Sequence, residues 1–219
     1  MPKKQIVKIL KEIAGRYSIY TVFEDWVKCC AITISNALTL QRDDLYQSRE
    51  KSYLNTIKKY THDEQIAFAK MLALLVEAME RSPGDILGDI YMEANMGNNA
   101  TGQVFTPFSL STACAKLALG SDLDSKEKIT LNEPSCGGGG MIIATALELK
   151  DKGINYQKRL EVIAQDLDWR CVYMCYVQLS LLGIKALVVQ GDTLASPYHP
   201  NFTDASHIFI TPAKKGLLF

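Results

Sequence analysis

Apolar positions divide the chain into two regions of different rhythm. From residue 1 to about 96 they recur at the three-to-four-residue spacing of helices. Ile6, Ile9, Leu10 and Ile13 form one stripe on a first helix that Gly15 should end. Thr21-Val22-Phe23-Glu24 has the form of a capping box and predicts a second helix to about Leu40. Trp26, Val27, Cys30, Ile32, Ile34 and Leu38 make that helix apolar on most sides, hence buried. Residues 43–59 are more charged, with Leu45, Tyr46, Tyr53, Leu54 and Ile57 as the inward side. Thr61-His62-Asp63-Glu64 is a second capping box. It opens a helix so apolar from Ile66 to Met79 that it belongs inside a bundle or at a subunit interface. Ser82-Pro83 predicts the N-cap and first turn of a short helix carrying Ile86, Leu87, Ile90, Tyr91 and Met92.

A turn-rich connector, Asn95 to Gly102, separates this helical domain (1–96) from a second domain (97–219). There the rhythm alternates. Thr106-Pro107 predicts a helix start, with Gly120 as its stop. Strand 128–132, helix 141–151, strand 160–165, helix 169–182 and strands 186–190 and 206–210 follow. Short apolar strands between helices predict an α/β fold with a parallel sheet. Asp168 should cap the helix from Trp169, and Gly183 should stop it.

Composition narrows the chemistry. Of 219 residues, 24 are basic and 24 acidic, so no global charge draws the chain to nucleic acid or anionic lipid. No apolar run is long enough to cross a membrane. Lysines interrupt the apolar residues of Met1 to Lys11, so this start does not read as a secretory signal, and a cytoplasmic location is expected. The six cysteines form no Cys-x-x-Cys pair and the three histidines are scattered, so no metal site is expected. Buried free thiols are the expectation.

In a parallel sheet, ligands bind at the carboxyl ends of the strands. The first strand runs into Glu133-Pro134-Ser135-Cys136-Gly137-Gly138-Gly139-Gly140 and then a helix. Such a loop lets a ligand approach backbone N–H groups at a helix N-terminus. The second strand ends in Asp166, 26 residues after Gly140, placed to accept from a ribose diol. The third ends in Gly191-Asp192-Thr193, where Asp192 is placed to accept from an exocyclic amine. An α/β protein binding another nucleotide is the alternative reading.

Gln103-Val104-Phe105-Thr106-Pro107, the glycine loop, Asp166 and Gly191-Asp192-Thr193-Leu194, in this order and spacing, resemble adenine-specific DNA methyltransferases. The likeness is to modification subunits of type I restriction systems and their small phage and mobile-element relatives, over about residues 83 to 210. It implies a Rossmann-like methyltransferase fold after a helical leader, with S-adenosylmethionine as cofactor. It implies cofactor contacts from Phe105, Thr106, Pro107, Glu133, Pro134, Ser135, Cys136, Gly137, Gly139, Asp166, Leu167, Asp192 and Thr193. Thr106 and Pro107 would lie near the methionine end, Asp166 at the ribose hydroxyls and Asp192 at the adenine amine. DNA as substrate, engaged through a partner specificity subunit, is implied likewise, and a second copy of the chain, in a homodimer, is the other candidate partner.

The family's catalytic motif, Asn/Asp/Ser-Pro-Pro-Tyr/Phe, follows the fourth strand. Here that place holds Thr211-Pro212-Ala213-Lys214. The second proline and the aromatic that stacks on a flipped base are missing. Lys214 would set a positive charge near the cofactor's sulfonium. The chain ends at Phe219, before the family's remaining strands and target-recognition region. This chain alone is therefore expected to transfer no methyl group. Two readings stay open: a methyltransferase completed by a partner, or an inert cofactor-binding or interaction subunit. With an uncovered fourth strand, Leu217-Leu218-Phe219 is expected to be buried against the sheet or a neighbour.

Overall fold

A computed structural model describes residues 1–39, 41–94, 105–120, 123, 127–202 and 204–217. The chain separates into two compact units, Met1–Phe105 and Thr106–Phe219. The expected connector, 95–102, with Gln103 and Val104, lies outside the described residues.

The first unit contains five described helices: α1 (Pro2–Ile13), α2 (Ile19–Ala37), α3 (Asp44–Ile57), α4 (His62–Arg81) and α5 (Ile86–Glu93). α4 packs on α1, and α2 on α3. The stripe read on α1 is the buried one: Ile6 and Leu10 are fully enclosed with Phe23, Trp26, Met71, Leu75, Leu87, Ile90 and Tyr91. Each such large side chain stabilises the bundle by about 1.5–3 kcal/mol. α4 begins at the expected capping box, with both reciprocal bonds formed between Thr61 and Glu64. Its Leu75 and Met79 are buried, but Ile66 is exposed and Leu72 half-buried, so one face turns inward rather than the whole helix.

Two starts differ from expectation. α2 is capped by Ser18, whose hydroxyl accepts from Thr21 N–H at 3.1 Å, so Thr21 lies inside the helix. Ser82 ends α4, and α5 is capped by Asp85, which accepts from Gly88 N–H at 2.9 Å. Asp85 is the stronger acceptor and is buried where the helix begins. On α3, Leu54 points outward, 53% exposed.

The second unit holds α6 (Phe108–Ala118), β1 (Ile129–Glu133), α7 (Gly140–Asp151), α8 (Tyr156–Arg159), β2 (Leu160–Asp166), α9 (Trp169–Leu181), β3 (Lys185–Gln190) and β4 (Ile208–Ile210). α6 starts one residue after the expected proline: Pro107 is its N-cap, with no side-chain bond. The sheet order is β1-β2-β3-β4. β1, β2 and β3 are parallel. Register aligns Leu131, Val162 and Ala186, and places Val188 beside Phe209. Phe209 meets Tyr176 of α9 at 4.9 Å between ring centroids, so this is the helix-covered face.

The fourth strand corrects the expectation of a parallel partner. β4 runs antiparallel to β3, with Leu187 opposite Ile210. A parallel return needs a crossover that carries the chain back along the sheet. The described residues of 191–207 form no such helix; they stay near the carboxyl ends, tied to β2 by Gln165, whose amide donates to Ser196 O and accepts from Tyr198 N–H. β4 therefore covers the edge of β3 and is itself the outer strand of the described sheet. Leu217 is 48% exposed, against the burial expected of the tail, and Leu218 and Phe219 lie outside the described residues.

Candidate functional site

The carboxyl ends of β1, β2 and β3 bring together Glu133, Asp166 and the Gly191-Asp192-Thr193 turn. The loop from Pro134 to Gly139 crosses this edge and is tightly held. Cys136 N–H donates to Gln165 O at 3.0 Å, and Gly139 N–H to Cys136 O at 2.8 Å. The buried Gln178 amide donates to Gly138 O at 2.6 Å. Thr193 Oγ1 donates to Pro134 O at 2.6 Å, joining the third strand end to the first.

Two glycines are required by geometry. Gly137 and Gly139 have φ of 51° and 94°, in the left-handed region. A Cβ on Gly139 would also stand 3.3 Å from Cys175 Sγ of α9. The backbone can thus press against α9 and turn directly into α7, whose first N–H groups have no intrahelical acceptors.

Asp166 is the organising acid. Its Oδ2 accepts from Gly137 N–H at 2.9 Å and its Oδ1 from Asp168 N–H at 3.0 Å. Each oxygen retains a further lone pair for a hydroxyl donor. Asp168 caps α9 through Arg170 N–H at 2.8 Å and pairs with the buried Arg170 guanidinium at 2.5 Å. Asp192 Oδ1 accepts from Leu194 and Ala195 N–H, at 2.9 and 3.1 Å. That local turn fixes an exposed carboxylate at the end of the third strand.

Burial raises the Glu133 carboxyl above its ordinary range; Ser135 N–H opposes this and the charge of Asp166 adds to it. The Cys136 thiol, hydrogen-bonded to Cys175 and buried, is held protonated. No cluster of His, Cys, Asp and Glu among the described residues has the arrangement of a metal site.

The geometry fits S-adenosylmethionine in kind. Acidic strand ends suit a cationic cofactor, Asp166 retains acceptor capacity for a diol, and the glycine loop offers close backbone approach. Exposed Leu167, adjoining Asp166, supplies apolar surface there.

The remaining expected residues divide. Phe105 belongs to the first unit, its ring 5.1 Å from that of Tyr91, while exposed Thr106 and Pro107 open the second unit before α6. Thr211 and Pro212 do not join the acidic ends. Because β4 runs backwards, they lie at the amino end of β3. Thr211 is fully buried there, its hydroxyl donating to Ile184 O at 2.7 Å and accepting from Ala186 N–H at 2.9 Å. Lys214 is at the same end, paired with Glu161 at 2.5 Å. The positive charge expected beside a sulfonium is therefore absent from the acidic edge. Gln165, Gln178 and Arg170 were not singled out from sequence. Polar residues inside otherwise apolar elements were the available signal.

A parallel α/β sheet with a glycine loop after its first strand and acids at the next two is a Rossmann-like methyltransferase fold. The N-6 DNA Methylase family model matches residues 82–212, more than half of the chain, and the chain belongs to that family. Among solved structures it is similar to one from Listeria monocytogenes, assigned as a class I S-adenosylmethionine-dependent methyltransferase. That pair is 15% identical with a TM-score of 0.49, over 89% of this chain and 55% of the other. It is also similar to the methyltransferase subunit of a type I restriction-modification system from Streptococcus thermophilus. Here identity is 20% and the TM-score 0.44, over 78% of this chain and 40% of the other. The chain thus spans 55% and 40% of the lengths of these two proteins. No curated protein matches it. No described helix is long and apolar enough to cross a membrane.

Proposed function

We propose that this chain is the cofactor-holding part of an adenine-specific DNA methyltransferase, and that it binds S-adenosylmethionine at the carboxyl ends of β1 to β3. The observation that carries the reading is Asp166, oriented by Gly137 and Asp168 N–H beside the glycine loop. In this reading Asp166 accepts from the ribose hydroxyls and Asp192 from the adenine amine. Glu133 and residues 134–139 wall the methionine portion, with Leu167 and Thr193 beside the nucleoside. Thr106 and Pro107 contribute at the methionine end. The bound cofactor supplies an electrophilic methyl group on a sulfonium. The chain's own residues orient that group and stabilise its charge.

Methyl transfer additionally needs an acceptor for the target amine and an aromatic surface for the flipped base. Thr211 and Pro212 are remote from the acidic edge, which supports transfer only with elements from outside these 219 residues, a DNA-specificity subunit being one source. The test is calorimetric titration with S-adenosylmethionine and its demethylated product, followed by radiolabel transfer to mixed duplex DNA. Binding without transfer is expected. No binding at millimolar cofactor refutes the site, and transfer by the purified chain, abolished by Asp192→Ala, refutes the dependence on a partner.

A further inference from the structure

The two ends of the sheet carry opposite charge. The carboxyl ends are lined by Glu133, Asp166, Asp168 and Asp192, with Arg170 buried beneath them. At the amino ends, Lys128 precedes β1, Lys158 and Arg159 precede β2, and Lys185 opens β3. Lys214 and Lys215 join them because β4 runs antiparallel and delivers the chain to this end.

Ion pairs and a hydrogen bond hold the group together. Glu161 Oε2 takes Lys128 Nζ at 2.8 Å and Lys214 Nζ at 2.5 Å. Lys185 lies beside Glu161 in the strand register, and its Nζ donates to Lys158 O at 2.9 Å. Among the described residues, the carboxylates at this end are Glu161 and Glu127. The end of α7 adds Lys150 and Lys152 against Glu148 and Asp151, with no net charge. Among the described residues, six cations thus face two carboxylates, in a chain that is neutral overall. Lys128, Lys158, Lys214 and Lys215 are exposed. With strands ~4.8 Å apart, the four-strand edge is ~15 Å wide, enough to follow several phosphates of one duplex face.

We propose that this amino-end surface holds the phosphate backbone of duplex DNA without reading its sequence. Lysines are point charges on flexible stems, suited to phosphates rather than to base edges. The Glu161 bridge anchors two of them while leaving the cluster net positive. From Glu161 to Asp166 is five residues of β2, ~16 Å. A duplex held here is anchored away from the cofactor end, so the contact is separate from methyl acceptance and stands whether or not the cofactor binds.

Fluorescence anisotropy of the full chain with a labelled random 20-bp duplex tests this across a salt series. Three to four phosphate contacts predict a log–log slope near −3 and a ~40- to 150-fold loss of affinity between 50 and 200 mM salt. Lys158→Glu/Lys215→Glu alters two exposed side chains. It should weaken binding at least tenfold and flatten the slope by about 2. Lys158→Gln/Lys215→Gln should flatten it similarly, and serves should the reversal disturb folding. The same charge change in α1, Lys8→Glu/Lys11→Glu, should leave binding near wild type. Equal loss in both reversals, loss in neither, or no wild-type binding at 50 mM salt with tens of micromolar protein overturns the proposal. Capture of polyglutamate but not of duplex also overturns it, assigning the surface to an acidic polypeptide.

Discussion

Replacing Thr211 by valine separates a structural role from a catalytic one. The change exchanges a hydroxyl for a methyl at nearly constant volume. In the folded chain that hydroxyl donates to Ile184 O at 2.7 Å and accepts from Ala186 N–H at 2.9 Å, with no solvent access. Each bond contributes about 0.5–1.5 kcal/mol net, and a buried donor left unpaired costs about 1–3 kcal/mol. Valine leaves the Ala186 N–H without its hydroxyl acceptor, so a loss of ~2–3 kcal/mol is expected. At about 2–4 °C per kcal/mol for a chain of this length, Tm should fall by roughly 5–10 °C. Urea unfolding followed by circular dichroism gives the same quantity, with an unchanged m-value. Thr211→Ser keeps both bonds and should lose ~1 kcal/mol or less. Neither variant should alter affinity for S-adenosylmethionine, because the residue lies at the other end of β3. A Thr211→Val protein of unchanged stability that no longer binds cofactor would refute the placement of β4.

Asp166→Ala should weaken cofactor binding by ~1.5–3 kcal/mol in calorimetry, through lost charge-assisted bonds, and loosen the loop it holds at Gly137; unchanged affinity removes it from the site. Gly139→Ala forces a side chain into φ 94° and towards Cys175 Sγ, so a stability loss of ~1–2 kcal/mol is expected in thermal unfolding. Lys128 and Lys214 lower the Glu161 carboxyl to about 2. Its unfolded value is higher, so its stabilisation is present above pH 4.5 and lost as pH falls towards 2. Glu161→Gln should flatten that limb of an acid-unfolding curve by about 0.5–1 kcal/mol, the scale of partly exposed pairs, and tighten duplex binding by removing a facing carboxylate.

The readable features were local. The reciprocal Thr61–Glu64 cap, the stripe of α1 and the strand–glycine–helix junction each depend on neighbours a few residues apart. Asp166 was readable because it ends an apolar strand. The direction of β4 was not, since Ile208-Phe209-Ile210 has the same pattern whichever way it pairs. Only the course of 191–207 over the carboxyl ends decides it. The same long-range dependence hid Gln165, Gln178 and Arg170, whose partners arrive from distant turns. At Ser18 and Asp85 two acceptors competed for one helix start, and of the two that capped, only Asp85 is buried.

The thiols described above act as concealed reporters. Burial pushes Cys29 up to about 12 and raises Cys30 and Cys171, and the hydrogen bond with Cys175 together with burial raises Cys136, so at neutral pH they are protonated and shielded from alkylation. Cys29 and Cys30 belong to the helical unit, and Cys136, Cys171 and Cys175 to the sheet unit. A thiol reagent therefore registers the opening of each unit in a different set of peptides. Time-resolved labelling read by mass spectrometry would give separate opening free energies for the two halves from the unmodified chain.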